Sequence, residues 1–114
     1  MGLKMFFCHE KDRPGEKITL GEKILEGASR KPISKGERIQ VVQVEFKAGT
    51  PIPEHAHSEE QAGCIIKGKF EVNIGGQKGI LEPGHYYWIP GNVPHSGFVH
   101  KDTILLDIYS PPRS

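Results

Sequence analysis

No part of this 114-residue chain approaches the roughly 20 consecutive apolar residues that a helix needs to cross a membrane. The opening Met1-Gly2-Leu3-Lys4-Met5-Phe6-Phe7 gives way at once to His9-Glu10-Lys11-Asp12, so no secretory leader is expected. Cysteine is almost absent. Cys8 and Cys64 are too few for a disulfide framework, and lone thiols in a reducing compartment are expected instead, which makes the protein cytoplasmic. Charge of one sign is lacking as well: 15 basic residues face 14 acidic ones. No net field would gather nucleic acid or an anionic membrane, so neither is expected as a partner. The densest basic patches, Arg30-Lys31 and Lys35-Gly36-Glu37-Arg38, read as solvated loop surface. A sustained 3.6-residue apolar rhythm is missing too; Lys23-Ile24-Leu25 is too short to start one.

What remains is a chain of short β segments cut by turn chemistry. Fourteen glycines and nine prolines leave only strand-sized stretches between them. In residues 39–47, Val42, Val44 and Phe46 fall on one face and Gln43 and Glu45 on the other. Further strands are expected through His55 and His57, from Gln61 to Lys67, from Lys69 to Ile74 and from Gln77 to Leu81. Others follow from Tyr86 to Ile89, near His95–Val99, and from Thr103 to Tyr109. Gly75-Gly76 suits a tight hairpin. So many short strands imply an all-β sandwich or barrel, because closing the sheet removes exposed edges. One domain is expected at this length. Within it, residues 1–38 read as an N-terminal extension with one or two edge strands, and 39–114 as the barrel.

Two histidines stand two residues apart, at positions 55 and 57. On a strand both rings project from one face, where their nitrogens can meet on one ion. Gln61 follows across a short turn with an amide oxygen that can serve as a neutral ligand. His95, on a later strand, completes a set of four. Each has a plainer alternative: exposed polar residues on an edge strand for the histidine pair, a solvated turn residue for Gln61. His9, His85 and His100 lack such context and read as surface histidines. Cys64 falls out of phase with Gln61, Gly63 and Ile65, so it should point away from the metal. Tyr86, Tyr87 and Trp88 suit the core or a subunit interface better than ligand stacking. Tyr109 and Phe98 are the candidates for a pocket wall.

Gly49-(five residues)-His55-Ala56-His57-(three residues)-Gln61-(six residues)-Gly68 resembles the first cupin motif, with glutamine where glutamate is usual. Gly84-(five residues)-Pro90-Gly91-Asn92-Val93-Pro94-His95 resembles the second. Asn92 replaces a glycine there, and asparagine tolerates left-handed backbone angles. The asparagine usual four residues after the histidine is Val99. The resemblance implies an all-β cupin jelly-roll barrel (a double-stranded β-helix) and a homodimer, as is common among small cupins. Cupins host many chemistries, so the fold alone does not name the reaction.

The ligand types narrow the chemistry. An amide in place of a carboxylate removes one negative charge from around the ion, which then acts as a harder Lewis acid. Lyase, isomerase or hydrolytic work on a small polar substrate fits this better than oxygen chemistry. Zn or Ni suits three imidazoles and an oxygen best, with Fe or Mn possible. His55-Ala56-His57-Ser58-Glu59-Glu60-Gln61 and the tail Leu105 to Arg113 resemble the pectin-degradation cupins that open unsaturated uronates. That resemblance implies Asp107 as acid/base and Arg113 as the grip on a substrate carboxylate. The residues themselves agree in part. Asp107 and Tyr109 share a face opposite Leu106 and Ile108, although a buried structural hydrogen bond would serve Asp107 equally well. Polyketide-cyclase-like cupins, Fe(II) dioxygenases and a non-catalytic barrel that binds a small ligand or metal are the alternatives.

Overall fold

The computed structural model describes residues 6–113; the leader-free reading of residues 1–5 lies outside the described residues, as does Ser114. Among the described residues a 3-10 turn at Glu10–Asp12 precedes eight strands: β1 (Glu16–Leu20), β2 (Lys23–Lys35), β3 (Gln40–Phe46), β4 (Pro51–His55), β5 (Glu60–Ile74), β6 (Gln77–Leu81), β7 (Tyr86–Ile89) and β8 (His95–Ser110). Every pairing is antiparallel, in the order β1-β2-β3-β8-β5-β6, with β4 added on β8 and β7 on β5. Strands β5 and β8 run the length of the molecule side by side. Their outer neighbours change half-way. Near one end β5 pairs with β7 and β8 with β3; near the other β5 pairs with β6 and β8 with β4. The sheet therefore folds over on itself, as a jelly-roll barrel requires.

The two long strands correct the expectation of shorter ones. Gln61–Lys67 and Lys69–Ile74 are one strand, and so are His95–Val99 and Thr103–Tyr109. The breaks inferred at Gly68 and around His100 are bends within strands, where the β5–β8 register shifts between Ile65 and Phe70. Gly68 sits at φ 108°, and a side chain there would run into the backbone of Asp102 and Thr103. Only glycine lets the two strands cross this closely. The strand expected through both His55 and His57 also ends early, at His55, so His57 lies in the following loop. In residues 10–38, β2 pairs with both β1 and β3, which leaves β1 as the edge strand of this region.

The alternation read in residues 39–47 holds in β3, where Val42 and Val44 are buried. Together with Ile65, Phe70, Val72, Val99, Leu105 and Tyr109 they form the core inside the barrel. Phe46 stacks on Phe70 with ring centroids 5.8 Å apart. Burying such side chains is worth about 1.5–3 kcal/mol each. Arg30 also faces inward, contrary to the solvated-loop reading, because its register partner on β3 is the buried Val44.

Replacing Gly68 by alanine should destabilise the fold by about 1–3 kcal/mol in urea titrations. Gly79→Ala is the control: its added Cβ would meet only Leu81 Cδ2 at 3.8 Å, an ordinary contact, and the change should be neutral or slightly stabilising.

Candidate metal centre

Three imidazoles converge at one end of the barrel. His55 closes β4, His95 opens β8, and the two are register partners on adjacent strands. Their ring centroids lie 4.3 Å apart, and His57 sits 5.0 Å from His95. One nitrogen of each ring lies within 4.8 Å of the others. That is the scale of donor atoms around one cation with metal–nitrogen bonds of about 2.0–2.1 Å.

The hydrogen bonds decide which nitrogen each ring offers. Nδ1 of His55 faces the Pro53 carbonyl at 2.8 Å, Nδ1 of His95 the Val93 carbonyl at 2.9 Å, and Nδ1 of His57 the Glu59 carbonyl at 3.0 Å. A carbonyl oxygen can only accept, so each Nδ1 carries the hydrogen and each Nε2 keeps its lone pair. Fixing the tautomer through the far nitrogen is how proteins orient metal-ligating histidines. Nε2 of His95 is buried with no hydrogen-bond partner. Burial lowers the His95 pKa to about 4 and also pulls that of His57 down, so both rings are neutral and able to donate at neutral pH.

Gln61 supplies a fourth lone pair. It is the second residue of β5, is buried, and its Oε1 lies 3.0 Å from Nε2 of His57. Two acceptors facing each other this closely repel unless something positive lies beside them. The amide cannot simply be turned round, because Gln61 also hydrogen-bonds the buried Asp107 carboxylate, which takes the N–H side of the amide. Three converging imidazole lone pairs, that of His95 buried without a partner, and an amide oxygen are the donor set of a divalent cation, so the residues fit a metal.

Asp107 lies deeper, on the inner face of β8. Its carboxylate accepts a short hydrogen bond from the Tyr87 hydroxyl and a long one, 3.4 Å, from Tyr109. Burial raises the Asp107 pKa, while the Tyr87, Gln61 and Tyr109 hydrogen bonds oppose that rise. Tyr87, Gly63 and Asp107 are register neighbours across β7, β5 and β8. A Cβ on Gly63 would overlap the Tyr87 hydroxyl, so the glycine leaves the gap through which tyrosine reaches aspartate.

A cavity of about 350 Å³ opens from this centre, in the range of small-molecule sites. His55, Gln61, His95, Tyr87, Asp107, Tyr109, Arg30 and Arg113 line it, with Val42, Val44, Phe70 and Leu105 forming its apolar floor. Arg113 is held in place. Its backbone N–H donates to Oε1 of the buried Gln40 at 2.9 Å, and its guanidinium lies 5.4 Å from the centre of the Tyr109 ring. Phe98, expected on the pocket wall, is a correction: it is on the outer surface, 39% exposed, with its ring 5.1 Å from His100. The aromatic triplet splits. Tyr86 and Trp88 are exposed, whereas Tyr87 turns inward to Asp107. Strand alternation could have singled out Tyr87, since it is in phase with the buried Ile89. His85 and His100 are on the surface, His85 hydrogen-bonded within its own turn to Glu82 and His100 across strands to Glu71.

The cupin domain profile matches residues 42–109, the barrel together with all four predicted metal ligands and Asp107. The chain is a cupin. It is 32% identical over 95 residues to the pectin degradation protein KdgF of Dickeya dadantii, an alignment covering 82% of this chain and 86% of that one. The structure of KdgF from a Halomonas species superposes with a TM-score of 0.84 at 25% identity, covering 95% of this cupin and 94% of that chain. An RmlC-like cupin of Shewanella frigidimarina gives 0.86, also at 25% identity, over 100% and 97%. A shorter match, 31% over 64 residues, links this cupin to quercetin 2,3-dioxygenase of Bacillus subtilis; it spans 55% of this chain but 19% of that enzyme.

Adding Zn or Ni ions to the metal-free protein should raise Tm by several degrees, and His57→Ala should abolish most of the rise. Without metal, stability should fall as pH drops from about 6.5 to about 4. Over that window the unfolded His95 takes up a proton and the folded ring does not. His95→Asn should flatten that part of the Tm–pH curve.

Proposed function

We propose that this cupin opens the ring of an unsaturated uronate or a related acidic sugar, using a divalent metal held by His55, His57, Gln61 and His95. The observation that carries the reading is the Asp107 carboxylate, buried in the wall of the cavity and hydrogen-bonded to the amide that would hold the metal. The likeness to KdgF over most of both chains supports the same substrate class. Zn or Ni suits this donor set best, and Fe or Mn is also accommodated. When bound, the ion supplies a Lewis acid that polarises a substrate oxygen.

The protein's own groups handle the proton. Asp107 is ionised before reaction and takes the proton of the ring hemiacetal hydroxyl as the ring C–O bond breaks. That leaves an aldehyde and an enolate, and Asp107 returns the same proton to the enolate carbon, giving a keto acid with no net gain or loss of atoms and Asp107 ionised again. Burial favours proton uptake by this carboxylate, which suits a group that must both accept and donate. The Tyr87 hydroxyl holds the ionised form, and Gly63 leaves it room to do so. Arg113, on the cavity wall, grips the substrate carboxylate, and Tyr109 and the apolar floor exclude water.

With the metal-loaded protein and an unsaturated uronate, the ultraviolet absorbance of the conjugated double bond should disappear. Asp107→Asn should slow this at least about a hundred-fold while the metal-induced rise in Tm persists. No loss of absorbance with the wild type would end this reading, and oxygen consumption in the same assay would favour the dioxygenase alternative. Tyr87→Phe removes a hydrogen bond that lowers the Asp107 pKa. The acidic limb of its kcat/KM profile should therefore move to higher pH.

A further inference from the structure

Arg30 and Lys31 are neighbours on β2, so their side chains leave opposite faces of the sheet. Lys31 points outward and pairs with Glu10 at 3.1 Å. Arg30 points into the barrel. Its row across the sheet runs through Val44, Leu105 and Ile65, all buried. A guanidinium on the inner face of a barrel is costly unless its charge and its N–H groups are answered.

The answer within the chain is incomplete. Glu16, its register partner on the edge strand β1, brings Oε1 to 3.2 Å from Nε, with 56% of the Glu16 side chain exposed. The contact lacks the alignment of a hydrogen bond, and Arg30 Nε is buried with no partner. Asp107, the other carboxylate of the cavity, is engaged by Tyr87, Tyr109 and Gln61. Arg113 reaches the same cavity from the chain terminus, its Nε 3.6 Å from Glu59. Both arginines act on the Tyr109 hydroxyl, which stands between the metal centre and the cavity wall.

We propose that Arg30 and Arg113 together form an anion receptor in the cavity, and that Arg30 selects a carboxylate-bearing substrate over its neutral counterpart. The proposal rests on the cavity being the substrate site described above, and it adds a residue that no motif marks. Arg30 makes the preference because its planar fork of N–H groups matches a carboxylate in two places. Its place on β2, paired on both sides, holds it firmly. Glu16 keeps the guanidinium neutralised at the rim while the cavity is vacant of substrate, and the incoming carboxylate takes over that role.

The test is calorimetric titration of the full-length, nickel-loaded protein with D-glucuronate and with D-glucose, which share a ring and differ in the acid group. Glucuronate should bind and glucose bind at least ten-fold more weakly. Arg30→Gln should weaken glucuronate about ten-fold or more, the range of a charge-assisted hydrogen bond. It should leave glucose unaffected and Tm within a few degrees, and Arg30→Lys should recover part of the loss. Equal affinity for the two sugars, or no binding of either, would overturn the proposal. So would unchanged glucuronate affinity in Arg30→Gln. A weakening that Glu16→Gln reproduces together with a matching fall in Tm would make Arg30 a strap between β1 and β2 and nothing more. Arg30-dependent glucuronate binding without turnover of unsaturated uronates would leave the receptor standing and remove only the ring-opening reaction.

Discussion

The organisation of this protein depends on three imidazole N–H groups being tied to backbone carbonyls. Pro53, Glu59 and Val93 each accept from one ring, and each bond leaves the opposite nitrogen with a lone pair. Those lone pairs then gather at one end of the barrel, where burial strips them of water and keeps His57 and His95 unprotonated. A cluster of neutral donors with nothing to donate to is unfavourable alone and favourable around a cation. The surrounding chain maintains it. Asp107 takes one side of the Gln61 amide, so the other side faces His57.

Asp107 links the metal centre to the catalytic proposal. The same carboxylate accepts from the Gln61 amide and from the Tyr87 hydroxyl, so a change in its charge would be felt at both. That coupling requires three strands to place three residues in one row, and requires the middle residue to have no side chain. Gly63 is that residue. The cavity beyond it combines an apolar floor with arginines at two positions. This is the arrangement expected for a small polar anion whose ring packs on aliphatic groups while its acid group is held by charge.

Much of this was legible in the residues. The alternation in β3, the glycine-rich hairpin at Gly75-Gly76 and the phase of Cys64 follow from two-residue periodicity, which a strand obeys wherever it sits. The cupin motifs located His55, His57, Gln61 and His95, and Asn92 adopts the left-handed φ of 65° that its place in the turn demanded. Other features were not legible. Gly68 read as a terminator because glycine ends most strands, yet in β5 it permits a close crossing. Phe98 is a pocket-wall candidate by its sequence, and β8 turns it outward. Tyr87 was hidden in a triplet of aromatics whose members face opposite ways.

The sequence by itself determined an all-β chain and the order of four candidate donors along it, because strand periodicity and motif spacing are local properties. Only the tertiary structure decided what those donors meet. The pairing of Tyr87 with Asp107 spans 20 residues, and the rows that carry Arg30 into the barrel join strands far apart in the chain. Such contacts depend on register and on which face each strand turns inward. A shift of one residue reverses that face, and nothing short of the folded sheet sets it.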